Sequence, residues 1–468
     1  MLGPDLLYLS VRELGERIRS RALSPVALTE AYLERSRRVG EKLGAYAALL
    51  RTRALDEARA AEREIKAGHY RGPLHGIPYA AKDLVAARGG PTAWGAKPLA
   101  KQHFPDDATV IAKLRDAGAI LLGKAAMIEL AGGMGYRFAS ASVTGAARNP
   151  WQQGCWTCGS SSGSAAVVAA GLAGFAIGSE TWGSIVCPSA FCGVSGLRPT
   201  YGRVSRHGAM ALAYSLDKLG PMARTADDCA LVLAGMAGHD ARDPTSLPPE
   251  RASFDAAQMA ARPLSALRIG WLDRQWQKTA PGVASAVTAA RAALEKAGAR
   301  MQPALLPDGP WEAAAGVIIA AEGFSAFEGF IRSGRVAQLV DPLGRLGGYV
   351  AGETSADDLL RAQRLRELLR RKMAALYERV DLLACASLPV TATRLEANLE
   401  QALDFPDPLG GIGNLCGLPA ISVPCGFADG LPVGLQLVGP PLSEASVLAV
   451  AHAFQQATDW HRRRPPLD

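Results

Sequence analysis

Gly159-Ser160-Ser161-Ser162-Gly163-Ser164 opens the stretch on which the reading of this chain turns. A small apolar run follows, 165–172, then Phe175-Ala176-Ile177-Gly178, then Gly183-Ser184-Ile185-Val186-Cys187-Pro188. The pattern is a glycine- and serine-rich loop, a helix of very small residues, a buried strand and a tight turn carrying a second serine. Small residues let backbone amides approach a ligand closely. Consecutive amides that lead into a helix form an anion-binding concavity. A serine inside such a concavity is placed to attack a carbonyl carbon.

Working outward, Gly76-Ile77-Pro78-Tyr79-Ala80-Ala81-Lys82-Asp83 sets a lysine in an otherwise small and apolar segment. An ordinary lysine, with a pKa of about 10.4, is a poor base at neutral pH. Burial disfavours its charged form and makes it a better one. Asp83 is adjacent, but on a strand it points to the opposite face. Two serines and a buried lysine can relay a proton without a histidine. None of the seven histidines sits in a Gly-x-Ser-x-Gly or HExxH context. A Ser-His-Asp triad stays open only through His75 or His207.

These segments make the chain resemble the amidase signature family, the Ser–cis-Ser–Lys amide hydrolases. Further matching motifs are Pro188-Ser189-Ala190-Phe191-Cys192-Gly193, Gly196-Leu197-Arg198-Pro199-Thr200-Tyr201-Gly202, Ser215-Leu216-Asp217 and Gly220-Pro221-Met222. Asn414-Leu415-Cys416-Gly417-Leu418-Pro419-Ala420 and Gly434-Leu435-Gln436 complete the set. The resemblance spans nearly the whole chain and is weakest between about 242 and 380. It implies Ser184 as nucleophile, Ser160, 24 residues earlier, as relay on a cis peptide bond, and Lys82 as base. On sequence alone Ser161 and Ser162 rival Ser160. The oxyanion hole is expected from the backbone amides of Thr181, Trp182, Gly183 and Ser184.

Relatives often read Gly-Thr-Asp-Thr-Gly-Gly-Ser-Ile-Arg where this chain reads Gly178-Ser179-Glu180-Thr181-Trp182-Gly183-Ser184-Ile185-Val186. Trp182 replaces a small residue, and Val186 stands where a guanidinium would clamp a carboxylate. Trp182, Val186, Cys187 and Met127 are therefore expected to line a pocket for neutral, apolar or aryl acyl groups. The expected reaction is hydrolysis of linear amides, with carbamates (urethanes) and esters sharing the attacked carbonyl. The resemblance leaves two alternatives. One is the A subunit of a glutaminyl-tRNA amidotransferase, working with partner chains. The other is an inert binding protein on the same scaffold.

The alternation of short buried runs with helical patterns indicates an α/β fold. By resemblance it is a large mixed, mostly parallel sheet covered by helices on both faces. One domain over 1–468 is expected, with a variable helical segment, 310–380, lining or covering the pocket. Helices are expected at 25–38, 49–68, 107–117, 226–237 and 282–297. Strands are expected at 78–84, 118–124 and 267–272.

The net charge of +7 is scattered among acids, which points to solvated helix faces rather than a nucleic-acid partner. The first residues lack a basic start and an apolar core, so no cleavable leader is expected. The apolar run 165–178 is too short for a span and no membrane partner is expected. Eight scattered cysteines suit reduced thiols in a cytoplasm. Cys155-Trp156-Thr157-Cys158 has CxxC spacing, but no second pair follows at a zinc-site distance. Both cysteines read as small apolar wall residues. The expected enzyme needs no cofactor or metal, acts on a small molecule, and is a monomer or homodimer.

Overall fold

The computed structural model describes residues 3–261, 263–273 and 278–467. Met1, Leu2 and Asp468, the ends of the expected domain, lie outside the described residues.

Among the described residues, eleven strands form one sheet in the order β1-β3-β2-β4-β6-β5-β10-β11-β9-β7-β8. They are β1 (Tyr46–Leu49), β2 (Pro78–Lys82), β3 (Ile120–Ala125), β4 (Phe175–Glu180), β5 (Ser195–Arg198) and β6 (Lys218–Ala223). Then follow β7 (Arg268–Trp271), β8 (Arg300–Pro303), β9 (Leu382–Ala386), β10 (Ala420–Ala428) and β11 (Leu431–Val438). β2, β3 and β4 are buried along their whole length, as their unbroken small and apolar runs require.

The expectation of a mostly parallel sheet needs correction. β2 runs parallel to β3 and β4, and β7 to β8 and β9; the other described pairs are antiparallel. The sheet is thus mixed. One cause is local: β10 and β11 are joined by the two-residue turn Asp429-Gly430, both at positive φ (53° and 76°), which forces a hairpin.

The principal helices are α1 (Val11–Arg19), α2 (Pro25–Arg35), α3 (Arg51–Lys66), α4 (Thr109–Asp116), α5 (Ser162–Ala169), α6 (Val186–Cys192) and α7 (Ala226–Met236). They continue with α8 (Pro281–Lys296), α9 (Trp311–Arg332), α10 (Pro342–Ala351), α11 (Ala356–Tyr377), α12 (Pro408–Leu415) and α13 (Glu444–Ala457). Each helix expected from the sequence is present within a few residues. Ser24 caps α2 by accepting from the Ala27 amide, and Pro25 stands at its first position.

α9 alone among the described helices is long and apolar enough by length and composition to cross a membrane (mean hydropathy 1.5). Its Trp311, Ala314, Ala315 and Ile318 are buried in an apolar cluster with α11 and α12. The segment 310–380 is tied to the loop beside the site by carboxylates. Glu129 accepts from the Val340 and Asp341 amides, and Asp341 accepts from those of Arg137 and Phe138.

Strand order places the functional residues. β2 is followed by β3 on one side and, later, by β4 on the other. The carboxyl ends of parallel strands that diverge in this way border a crevice. Lys82 ends β2 and Glu180 ends β4.

Candidate active site

The two glycine-rich turns meet at that crevice. Lys82 Nζ lies 2.7 Å from Ser160 Oγ, and Ser160 Oγ lies 3.0 Å from Ser184 Oγ. The Gly159–Ser160 peptide bond is cis. The rival serines are engaged elsewhere. Ser161 donates to the Ser179 carbonyl and accepts from its amide. Ser162 donates to the Ala126 carbonyl from the first turn of α5.

Lys82 is fully buried. Burial pushes its ammonium well below the ordinary lysine range, against the opposing pull of Asp217 and Glu180. Its other neighbours are Ser179 Oγ at 2.9 Å and the Ser179 carbonyl at 3.4 Å. Asp83 turns away, as the strand period demands, to face Lys124 at 3.5 Å. The histidines stand apart: His75 accepts from the Arg71 amide and faces Glu64, and no described histidine bonds to Ser184.

The Ser184 turn is built by groups that sequence reasoning did not assign. Glu180 Oε2 accepts from the amides of Ile185 (2.9 Å) and Val186 (3.0 Å), fixing the chain just past Ser184. Its Oε1 accepts from Arg198 Nη1 (2.6 Å) and Asn414 Nδ2 (3.2 Å). Burial alone would raise the Glu180 carboxyl, but Arg198 and Lys218 hold it down at about 2. Lys218 in turn donates to Asn414 Oδ1 at 2.6 Å. Thr181 Oγ1 donates to Asp217 Oδ1 at 2.6 Å. Arg198, Asp217 and Asn414 all lie in the motifs that carry the family resemblance. That was the available signal for them, and Glu180 carried a similar one, standing opposite the acidic residue of the compared family segment.

Because Glu180 and Arg198 are both buried, removing one charge strands the other. Arg198→Met is expected to lower unfolding stability by about 3–5 kcal/mol, read in a denaturant titration. An unchanged midpoint would show that the pair does not support the turn.

Gly183 has φ of 75°, and a Cβ there would stand 2.7 Å from Cys187 Sγ. Glycine adopts this bend without strain. Among the described residues, the amides of Thr181, Trp182, Gly183 and Ser184 donate to no protein group. Those four donors are the expected oxyanion set.

The expected pocket residues fare differently. Val186 is 3% exposed, packed in an apolar cluster with Trp311, Ile318, Leu369 and Ile412. Met127 is fully buried in the main core. Neither offers a surface to a ligand, which corrects their assignment as substrate-binding. Trp182 is half-buried, and its indole N–H donates to Asp407 Oδ2 at 2.9 Å over the first turn of α12. Burial pushes the Asp407 carboxyl up to about 6. Cys187 is half-buried beside the Gly183 turn, and its contact with the Cys158 thiol, with burial, pushes it well above the ordinary thiol range. Cys155 and Cys158 are buried in an apolar cluster with Trp156 and Phe191, as wall residues.

Burial of Val186 changes what an arginine there would do. Val186→Arg is expected to place an unpaired guanidinium in an apolar cluster and cost several kcal/mol of stability. Thermal unfolding of the variant checks this; an unshifted transition with altered substrate preference would put residue 186 in the pocket after all.

Fold and site together define an enzyme class. A family model described as Amidase matches residues 27–448, and the chain belongs to that family, the amidase signature enzymes. It is 39% identical to the A subunit of glutamyl-tRNA(Gln) amidotransferase from Moorella thermoacetica, over 99% of both chains. It is 40% identical to the corresponding subunit from Dechloromonas aromatica, over 98% of this chain and 99% of that one. Its structure resembles the peptide amidase of Stenotrophomonas maltophilia with a TM-score of 0.87, at 34% identity and 98% coverage of both chains.

Proposed function

We propose that this enzyme cleaves C–N amide bonds through an acyl-enzyme on Ser184. The observation that carries the reading is the unbroken chain from Lys82 Nζ through Ser160 to Ser184, with steps of 2.7 and 3.0 Å, in a buried setting that favours the neutral amine. Neutral Lys82 accepts the Ser160 proton while Ser160 accepts that of Ser184, and Ser184 Oγ attacks the carbonyl carbon. The amides of residues 181–184 meet the developing oxyanion. Collapse breaks the C–N bond, and the leaving amine takes the proton back through Ser160. Water then repeats the sequence on the ester, releasing the carboxylic acid and Ser184.

The substrate we assign is a small neutral amide, with carbamate and ester analogues attacked at the same carbonyl. Arg198 is held by Glu180, and burial disfavours the charged form of Lys218. Val186 supplies no cation. Arg206 and Arg242, which line the cavity beside Ser179 and Thr181, already face Asp243 and Asp240. A substrate carboxylate would therefore have to compete with these acids for a partner. On this reading the chain is one domain acting as a monomer or homodimer in a cytoplasm, with 310–380 covering the pocket. Its eight free thiols agree with that location.

A second reading rests on the sequence relatives. As the A subunit of an amidotransferase, the chain would free ammonia from glutamine for partner chains to transfer. The isolated chain separates the two. Neutral primary amides or anilides are expected to exceed glutamine in kcat/KM by at least about tenfold, or about 1.4 kcal/mol. A preference for glutamine, or turnover only with partner chains added, would favour the second reading.

A further inference from the structure

Away from the serines, a polar cavity of about 600 Å³ is lined from both ends of the chain and from the end of β6. Its walls include Tyr8, Arg224, His452, His461, Arg462 and Arg464. It lies beyond the end of α5 opposite the serine loop, since Arg224 Nη2 donates to the Val168 carbonyl of that helix at 2.9 Å.

The acids here are engaged or set back, buried Asp228 acting on Arg224 only from beyond ion-pair range. Asp227 holds Arg12 through two hydrogen bonds (2.5 and 2.8 Å). Glu13 accepts from the amide and hydroxyl of Ser10 at the start of α1. Arg464 pairs with Asp5. Two cations remain among the described lining residues. Arg224 is 8% exposed and lies over the Tyr8 ring (4.4 Å), with no carboxylate in ion-pair range among the described residues. Arg462 is exposed at the rim and likewise lacks an acidic partner among them. His461 is 9% exposed, and its Nδ1 has no hydrogen-bond partner among them.

A buried guanidinium without a counter-charge is costly, and so is a buried ring nitrogen left unpaired. One compact anion in the cavity would answer both. We propose that this cavity is a binding site for a small divalent oxyanion, a phosphoryl group or a dicarboxylate, held by Arg224 and Arg462 with His461 beside them. A planar guanidinium fork suits either group, because both present paired oxygens.

Calorimetric titration of the full chain at constant ionic strength, with inorganic phosphate in one arm and succinate in the other, tests this. At least one probe is expected to bind saturably, with Kd below about 1 mM. Phosphate alone would assign a phosphoryl ligand, succinate alone a dicarboxylate, and both the shared dianion chemistry. Arg224→Met and Arg462→Ala are each expected to weaken binding about tenfold or more. Arg462 is exposed, so its variant decides the matter even if Arg224→Met fails to fold. Absence of saturable binding by either probe, or binding unchanged in Arg462→Ala, overturns the proposal.

Discussion

Ser184→Ala is expected to lose amide hydrolysis by a factor on the order of 10⁶ while keeping the fold. That is the scale on which removal of a serine nucleophile acts when nucleophile and base work as a unit. The fold should survive because the turn is held by other groups. Glu180 grips the amides of Ile185 and Val186, Arg198 and Asn414 grip Glu180, and the Ser184 hydroxyl supports none of these contacts. Any residual rate reflects binding and the four amides of 181–184. Amide turnover and thermal unfolding on the same preparation check both halves. Near-wild-type turnover in a folded Ser184→Ala protein contradicts the assignment.

Lys82→Met is expected to be nearly as damaging to amides, at a loss of about 10³-fold or more, and milder on a matched activated ester. An amine leaves only when protonated, whereas an activated ester oxygen leaves with little help. Equal losses on both substrates would make Lys82 structural. The lysine also sets the pH dependence. Its ammonium is held well below its usual range by burial, and only the neutral amine accepts a proton. Activity should therefore climb with pH through the depressed value and then level, and the climb should vanish in the variant's residual ester activity. The linkage to stability has the same sign. Between the depressed folded value and the unfolded value of about 10.4, the unfolded chain binds the extra proton, so the Lys82 contribution to stability rises with pH.

The triad was legible because its chemistry is written in local, small-residue turns. Gly159 to Ser164, Gly183-Ser184 and Lys82 each sit where a strand or helix ends, and the family motifs imply the roles proposed for them. The resemblance singled out Ser160, but the residues alone did not separate it from Ser161 and Ser162, since all three share one loop. The distinction lies in contacts to Ser179 and Ala126, which come from separate strands and loops. Strand direction was legible only in part. Fully buried runs look alike in parallel and antiparallel settings. Asp429-Gly430, a two-residue hairpin turn, was a readable sign of antiparallel pairing at one end.

The pocket was the least legible part. Residue type at Val186 and Trp182 announces an apolar environment but not its source. Val186 is covered by helices that begin more than a hundred residues later, at Trp311. Trp182 is oriented by Asp407, 225 positions away. Such coverage is decided by long-range packing, to which local periodicity is blind.

A covalent intermediate on Ser184 is the step on which the proposed chemistry rests. The direct measurement is acid quenching of the enzyme during turnover of a slowly deacylated aryl ester, followed by intact mass and peptide mapping. One added acyl group is expected, mapped to Ser184, absent from Ser184→Ala and depleted by hydroxylamine. An acyl group on another residue of the active enzyme, or full turnover with no adduct under conditions that make deacylation slow, would contradict it.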